Sequence, residues 1–302
     1  MPPVAVVTGA FGNIGRSVAT VLRERGWTVR TLTRRRPAAD DPPLESFPLR
    51  FAPDALTPAL RGADALVNTY WVRMPEHGAT FAQAVENSRL LIDAALAAGV
   101  ARIVHVSVSN ASADSGLGYY RGKALVEEHL RERGRSWAIV RPTLVVGPRD
   151  VLTGNIAWFV RRLPLVVIPS GAEYPLQPVL VDDVGRIVAD QVESASCVTL
   201  DAAGRERFGF RDYVALVARA VRRRPRIIAA PPRVVLALLG ILGRFLGDVV
   251  LTREELLGLR DGMLVSRRPP TAGASVRAWL LAHGDRLGRR YTNDRADRRG
   301  TR

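Results

Sequence analysis

The chain has 302 residues, of which 47% are hydrophobic and 24% are charged, and its formal net charge at pH 7 is +15. These proportions are typical of a globular protein with a sizeable core, and they exclude a disordered or fibrous chain. The single cysteine, Cys197, excludes an internal disulfide, and the four histidines are scattered without metal-ligand spacing, so no metal site is predicted.

The positive charge calls for a test of nucleic-acid binding. The arginines are spread along the chain, with short clusters at residues 34–36 and 222–224, and no nucleic-acid-binding motif accompanies them. We therefore predict no specific nucleic-acid partner. The N-terminal residues MPPVAVVTGA lack the charged segment and the long apolar run of a signal peptide, so the expected location is cytoplasmic.

The first half of the chain alternates strand and helix patterns. A strand at 4–8 leads through a glycine turn into a helix at about 14–25 and a second strand at 27–32. Further predicted strands lie at 65–68, 102–107 and 138–141, with helices at about 79–98 and 119–133 between them. This alternation predicts an α/β fold with a Rossmann-like, doubly wound parallel sheet.

After Gly147-Pro148 the rhythm changes. Two late strands are predicted at 179–181 and 198–200, separated by a helix that opens at Asp182-Asp183. From Phe210 onward the pattern is helical, with Pro231-Pro232 and Pro269-Pro270 as breakers. We expect a nucleotide-binding domain and a smaller, mostly helical substrate region, formed by residues 1–147 with 176–204 and by residues 148–175 with 205–302, respectively.

The apolar segment Val234 to Leu251 raises the question of a membrane. It has 18 residues, but Arg244 and Asp248 interrupt it, whereas a spanning helix needs about 20 mostly apolar residues. We interpret it as a helix that packs on its own domain or lines a substrate cleft. Peripheral contact with a membrane surface is the alternative, since basic apolar helices can lie at such interfaces.

The glycine turn between the first strand and the first helix reads TGAFGNIG, with the spacing G-x-x-G-x-x-G. Glycines in this context allow a tight turn and a close approach of the backbone to a pyrophosphate, while the helix N-terminus presents N–H groups to the phosphates. The alternative is a glycine turn that only packs. The predicted cofactor-binding residues are Gly9, Phe11, Gly12, Asn13, Ile14 and Gly15.

The second strand runs into Arg34-Arg35-Arg36, and the first acid after it is Asp40. NAD sites place a carboxylate near this strand end, whereas an arginine there suits the 2′-phosphate of NADP. We therefore expect NADP(H) to be preferred over NAD(H), with Arg34 as the contact. A solvated basic loop is the alternative for any one of these arginines.

Tyr119 and Lys123 are four residues apart, so on a helix they share one face. A nearby ammonium favours the phenolate, which brings a phenol with a pKa near 10 closer to neutral pH. Lys123 is the only lysine among 44 basic residues, and lysine is a compact point charge where arginine is a broad fork. This pair predicts proton transfer.

These motifs resemble the short-chain dehydrogenase/reductase superfamily, in its extended or atypical branch of epimerase/dehydratase type. The resemblance covers most of residues 4–200 and extends to complex I accessory subunits and, more distantly, to NmrA-type sensors. It rests on the segments TGAFGNIG, NTYWVR, AVENSRLL, HVSVS, YYRGK, VRPTLVVGP and PVLVDDV.

The resemblance implies that Tyr119 is the general acid/base, that Lys123 is its partner, and that Asn87 holds a proton-relay water. It also places Arg141-Pro142-Thr143 beside the nicotinamide and the Asp182-Asp183 helix start near the substrate. The further cofactor-binding residues that it implies are Asn68, Ser107, Lys123 and Pro142.

One position departs from this pattern. Val108 stands where the family has a substrate-orienting serine or threonine, and in an extended chain Ser107 and Ser109 both point to the opposite side. We take Ser109 as the substitute. The leading hypothesis is an NADP(H)-dependent enzyme with a small-molecule substrate, as a monomer or homodimer, and the alternative is a non-catalytic NADPH-binding regulator or assembly subunit.

Overall fold

The computed structural model describes residues 1–39, 41–75, 79–171 and 173–293, so Asp40 lies outside the described residues. The chain divides into two compact units. The first comprises Met1–Pro142 and Val181–Ala202, and the second comprises Thr143–Leu180 and Ala203–Arg302.

The first unit contains a strand–helix alternation followed by one returning helix and strand. Its elements are β1 (Val4–Thr8), α1 (Asn13–Glu24), β2 (Thr28–Thr33), β3 (Glu45–Pro48), α2 (Pro53–Leu60), β4 (Ala65–Asn68), α3 (Phe81–Ala97), β5 (Arg102–Val106), α4 (Gly118–Arg133) and β6 (Trp137–Pro142). After a passage through the second unit, α6 (Val181–Glu193) and β11 (Val198–Ala202) complete it.

The second unit is built from short strands and helices. Its elements are β7 (Leu144–Val146), α5 (Val151–Arg162), β8 (Leu165–Pro169), β9 (Pro175–Leu176), β10 (Pro178–Leu180), β12 (Phe208–Gly209), α7 (Phe210–Ala220), β13 (Arg226–Ala230), α8 (Pro232–Leu246), α9 (Arg253–Arg260) and α10 (Val276–His283).

The seven strands of the first unit form one sheet in the order β11-β6-β5-β4-β1-β2-β3, and every neighbouring pair is parallel. Chain order reverses between β1 and β4, which is the arrangement of a doubly wound Rossmann-type sheet. One face packs against α2, α3 and α4 through an apolar cluster, and α1 and α6 pack against each other. The predicted fold class is confirmed.

The packing of α6 on α1 is unusually close because a glycine lies at the contact. A Cβ added to Gly185 would lie 3.0 Å from the Ser17 Cβ, and the Ser17 hydroxyl donates to the Val181 carbonyl at 3.0 Å. The helix that the sequence predicted to open at Asp182-Asp183 begins one residue earlier, at Val181. Its close contact fixes the helix whose N-terminus forms the glycine turn.

The second unit contains three two-stranded sheets, which pair β7 with β10, β9 with β12 and β8 with β13. Its core includes the fully buried Tyr213, whose hydroxyl lies 2.8 Å from the Thr153 hydroxyl. Two expectations for this region are wrong. The chain after Phe210 includes the strand β13, and Pro232 begins α8 where the sequence suggested a breaker, because proline is well tolerated in the first turn of a helix.

Candidate functional site

The glycine turn of the first unit has the geometry of a phosphate cradle. Gly9 has a φ of +64°, which favours glycine, and its N–H donates to the Leu32 carbonyl at 2.8 Å. The Gly12 N–H donates to the Gly9 carbonyl at 2.8 Å. A Cβ on Gly15 would overlap the Gly9 carbonyl oxygen and lie 2.8 Å from its carbon. Only glycine lets α1 begin this close to the turn.

The N-terminus of α1 is open to an anion. Its N-cap is Gly12, its first turn carries no acidic residue, and within the described ranges no side chain caps it. A helix N-terminus of this kind presents unpaired N–H groups and the positive end of the helix dipole. Asn13 and Ile14 are half-buried in this turn, whereas Phe11 is buried in the core.

The end of β2 presents one exposed cation and one neutralised acid. Arg34 is exposed, and its guanidinium carbon lies 5.8 Å from the centre of the Phe51 ring. Asp41, the first described acid after β2, accepts from the Arg16 guanidinium at 2.8 Å and from the Ala38 N–H at 2.8 Å. The carboxylate is therefore already engaged, while Arg34 remains available at the surface.

Polar side chains are buried where β4 and β5 end. Asn68 and His105 are register partners and are both fully buried. Within the part of the chain that the structure describes, neither ring nitrogen of His105 nor the Asn68 amide nitrogen makes a hydrogen bond of acceptable geometry. Burial, and secondarily the charge of Lys123, hold the pKa of His105 well below its usual value, so this ring is neutral.

Tyr119 lies at the start of α4 in a cluster of aromatic rings. The half-buried phenol packs edge-on against Trp71, Phe81 and Tyr120, with ring centres 6.1, 5.9 and 5.5 Å away, respectively. Gly122, one turn along the helix, makes room for this cluster, because a Cβ there would lie 3.0 Å from the Trp71 ring. The sequence left open whether Trp71 belongs to the core or to the site, and the structure places it against Tyr119.

Lys123 lies one turn after Tyr119 and is almost completely buried. Its Nζ donates to the Val106 carbonyl at 2.7 Å and lies 4.7 Å from the centre of the Trp71 ring. Burial lowers the pKa of Lys123 from 10.5 to about 7, and the charge of Glu127 opposes that shift. The ammonium can therefore form or lose its proton near neutral pH.

Glu127 organises a buried ionic cluster that the sequence analysis did not predict. This fully buried carboxylate accepts from the Arg141 Nε at 2.8 Å, from Arg131 at 2.8 Å and from the Ser107 hydroxyl at 2.6 Å. The spacing of Lys123 and Glu127, four residues apart on a predicted helix, was the only available signal. The resemblance placed Arg141 and Ser107 at the cofactor, and here both side chains bind Glu127.

The other predicted residues occupy different surroundings. The Asn87 amide donates to the Tyr70 hydroxyl at 3.0 Å and accepts from Gln83 at 3.1 Å. Ser109 is fully buried, and its N–H donates to the carbonyl of Pro142 at 2.9 Å. These contacts place Ser109 and Pro142 together beyond the ends of neighbouring strands, while Asn87 lies on α3 with Tyr70.

Comparison with known proteins agrees with this geometry. A family model described as NAD(P)H-binding matches residues 9–150. The NADH-ubiquinone oxidoreductase 40 kDa subunit of Neurospora crassa is 24% identical over 83% of this chain and 69% of its own length. The ceramide reductase of Caulobacter vibrioides is 26% identical over 76% of this chain and 74% of its own length.

A solved structure extends the likeness over nearly the whole chain. The quinone oxidoreductase QOR2 of Escherichia coli, complexed with NADPH, has a TM-score of 0.71 and 20% identity, covering 92% of this chain and 99% of its own. The chain belongs to the extended branch of the short-chain dehydrogenase/reductase superfamily. Superfamily members of this kind bind NAD(P) at the glycine turn, and the cradle at Gly9, Gly12 and Gly15 fits a dinucleotide pyrophosphate.

Proposed function

We propose that this protein is an NADP(H)-dependent enzyme that interconverts a carbonyl and a carbinol on a small molecule. The observation that carries the proposal is Tyr119, half-buried among aromatic rings and one helical turn before the buried Lys123. A reaction of this type needs one proton donor at the substrate oxygen, and a phenol beside an ammonium meets that need.

The residues of the chain divide the work as follows. The bound dinucleotide supplies or accepts the hydride. In the reducing direction, the Tyr119 hydroxyl gives its proton to the carbonyl oxygen as the carbinol C–H bond forms. Lys123 favours the phenolate that remains, and its ammonium is present as pH falls toward and below about 7, the pKa that burial gives it. Trp71 covers this pair and limits the access of water.

The cofactor preference rests on the surroundings of β2. Arg34 is exposed at the strand end and Asp41 is neutralised by Arg16, which favours a 2′-phosphate over a free ribose hydroxyl. Titration with NADPH and NADH, followed by quenching of tryptophan fluorescence, should give tighter binding of NADPH. Arg34→Ala should weaken NADPH binding by about tenfold and leave NADH binding unchanged, because a charged hydrogen bond contributes about 1.5–3 kcal/mol. Arg36→Ala is the matched control, and equal weakening by both variants would contradict the assignment.

The proposed role of Tyr119 is tested by Tyr119→Phe. This variant should lose at least about a hundredfold in turnover, the range for a general acid, and bind NADPH as the parent does. Tyr120→Phe, a neighbouring phenol in the same cluster, should keep its turnover. The assay follows NADPH absorbance with a panel of aldehydes, ketones and quinones, and comparable losses in both variants would refute the role.

A non-catalytic NADPH-binding subunit is the second candidate, favoured by one feature of the site. Val108 occupies the position of the orienting hydroxyl, and the Ser107 hydroxyl is engaged by Glu127. The relative from Neurospora crassa, a subunit of a larger oxidoreductase, is in keeping with this role. NADPH binding without turnover on any substrate of the panel would favour this candidate, and Tyr119→Phe would then change nothing.

A further inference from the structure

The exposed apolar residues of the chain are concentrated in the second unit. Apart from Met1, all the large hydrophobic side chains recorded as exposed within the described ranges belong to that unit: Leu163, Leu165, Ile228, Val234, Leu238, Ile241, Phe245 and Leu281. Four of these eight lie on α8 alone. Single exposed apolar residues are ordinary, but a cluster on one element indicates an interaction surface.

The four residues of α8 form a continuous stripe. Val234, Leu238, Ile241 and Phe245 follow one another at intervals of four, three and four residues, which places them on one face of the helix. Phe245 is 85% exposed, and the other three are between 44% and 55% exposed. The opposite face is anchored, because Val235 and Gly243 are buried. The segment therefore packs on its own unit along one side only.

A cleft beside the stripe leaves α8 uncovered on a further side. Its volume is about 310 Å³, and it is lined by Leu239, Gly240, Gly243, Arg244, Gly247, Asp248, Val249, Val250 and Leu251. Gly240 has no atom within 4 Å of an added Cβ, so this part of the helix surface is open space. The apolar stripe and this cleft together leave about half of the helix circumference without a partner.

Charge indicates what covers the stripe. Between Asp212 and Asp248 the chain has seven arginines and no acidic residue. Two of them, Arg233 and Arg244, are exposed near the two ends of α8 and border the stripe on the same side. A symmetric contact between two copies of this face would bring these like charges together, which opposes self-association. An anionic surface meets no such repulsion.

We propose that α8 docks the protein on an anionic lipid bilayer, lying parallel to the membrane plane with the stripe in the headgroup region. An apolar face flanked by arginines is the pattern of interfacial helices, whose binding combines buried apolar area with attraction to anionic lipids. The helix does not cross the bilayer: within the described part of the chain, no helix has the length and hydropathy for that.

The test is flotation of the whole protein with phosphatidylcholine vesicles, with and without phosphatidylglycerol. The parent protein should float with the anionic vesicles and do so less at high salt. The variant Ile241→Ser/Phe245→Ser should lose at least about tenfold in partitioning, since two exposed apolar anchors are removed. Arg233→Gln and Arg244→Gln should each lose about fivefold, which corresponds to about 1 kcal/mol per charge.

The control Leu281→Ser removes an equally exposed leucine from α10 and should float like the parent. Because the substituted side chains are exposed, all variants should keep the parent's thermal unfolding curve, and Phe245→Ser alone serves if the double variant does not. Absence of vesicle binding, or unchanged binding by Phe245→Ser, would overturn the proposal. So would light scattering that shows a dimer of the parent which Phe245→Ser dissociates, because the stripe would then face a second copy.

Discussion

Replacing Lys123 with methionine should stabilise the folded chain near neutral pH. The side chain is only 3% exposed, and burial lowers its pKa from 10.5 to about 7. Between these two pH values the unfolded chain holds a proton that the folded chain has released. The contribution of Lys123 to stability therefore rises as pH increases from about 7 to 10.5, and its cost is greatest below pH 7.

The magnitude follows from the same two pKa values, 10.5 and about 7. At about 1.36 kcal/mol for each pH unit between them, the cost near pH 7 is about 4 kcal/mol. Methionine removes that cost but loses the hydrogen bond from Nζ to the Val106 carbonyl and the contact with the Trp71 ring, each worth about 1 kcal/mol. The net stabilisation expected at pH 7 is about 2 kcal/mol, and it should disappear by about pH 10.

Urea unfolding followed by circular dichroism, at pH 7 and again near pH 10, measures the difference. Arg121→Met removes an exposed cation from the same helix and should change stability by less than about 0.5 kcal/mol. Because Lys123 is the only lysine, an NMR titration of lysine-labelled protein reports its pKa without assignment. A midpoint near 10.5, or a less stable methionine variant at pH 7, would refute the reasoning.

Gly15→Ala should abolish NADPH binding, since the added Cβ overlaps the backbone of the glycine turn, and fluorescence titration measures the loss. Gly26→Ala, with a φ of +86° and open space around its Cβ, should cost about 1 kcal/mol of stability and keep NADPH binding, so equal binding by both variants would contradict the cradle. Glu127→Gln should lower the free energy of unfolding by about 3 kcal/mol because it leaves Arg141 without its buried carboxylate, whereas the exposed neighbour Glu128→Gln should change it by less than about 0.5 kcal/mol. Thermal unfolding compares the pair, and equal shifts would contradict a buried ionic cluster.

The parallel strands of the first unit could be predicted because their sequence patterns are strong. Val4–Thr8 and Ala65–Asn68 are short apolar runs bounded by turn residues, and both have the predicted limits. The helix carrying Tyr119 and Lys123 was predicted within one residue of its observed start, because Gly134 ends its pattern clearly. In these segments local propensity and burial point to the same structure.

The elements that the sequence did not predict are short or contain proline. The edge strand Glu45–Pro48 has four residues and alternates no apolar face, and the helix Pro53–Leu60 carries prolines at both its start and its interior. The paired strands Leu165–Pro169 and Arg226–Ala230 are separated by more than fifty residues, so only their tertiary pairing identifies them. Elements of this kind depend on partners that a local pattern does not contain.

The candidate site divides in the same way. The glycine turn and the pair Tyr119 and Lys123 are local patterns, and spacing alone placed them on the correct elements. The contacts of Glu127 with Ser107 and Arg141 join residues of three elements, and no spacing rule specifies such a cluster. Sequence therefore located the candidate chemistry, while the structure identified what holds Lys123 in place.

The burial of Lys123 explains why this arginine-rich chain keeps a lysine there. Its site offers a single carbonyl acceptor, that of Val106, and the face of Trp71. A guanidinium has five donors and a pKa above 12, so it would bring unsatisfied donors and a permanent charge into the same space. Lys123→Arg should therefore destabilise the chain at pH 7 by about 3 kcal/mol, opposite in sign to Lys123→Met, in the same urea titration. An arginine variant as stable as the parent would show that the pocket tolerates a fixed charge, and the proposed advantage of a cation that titrates near neutrality would fall.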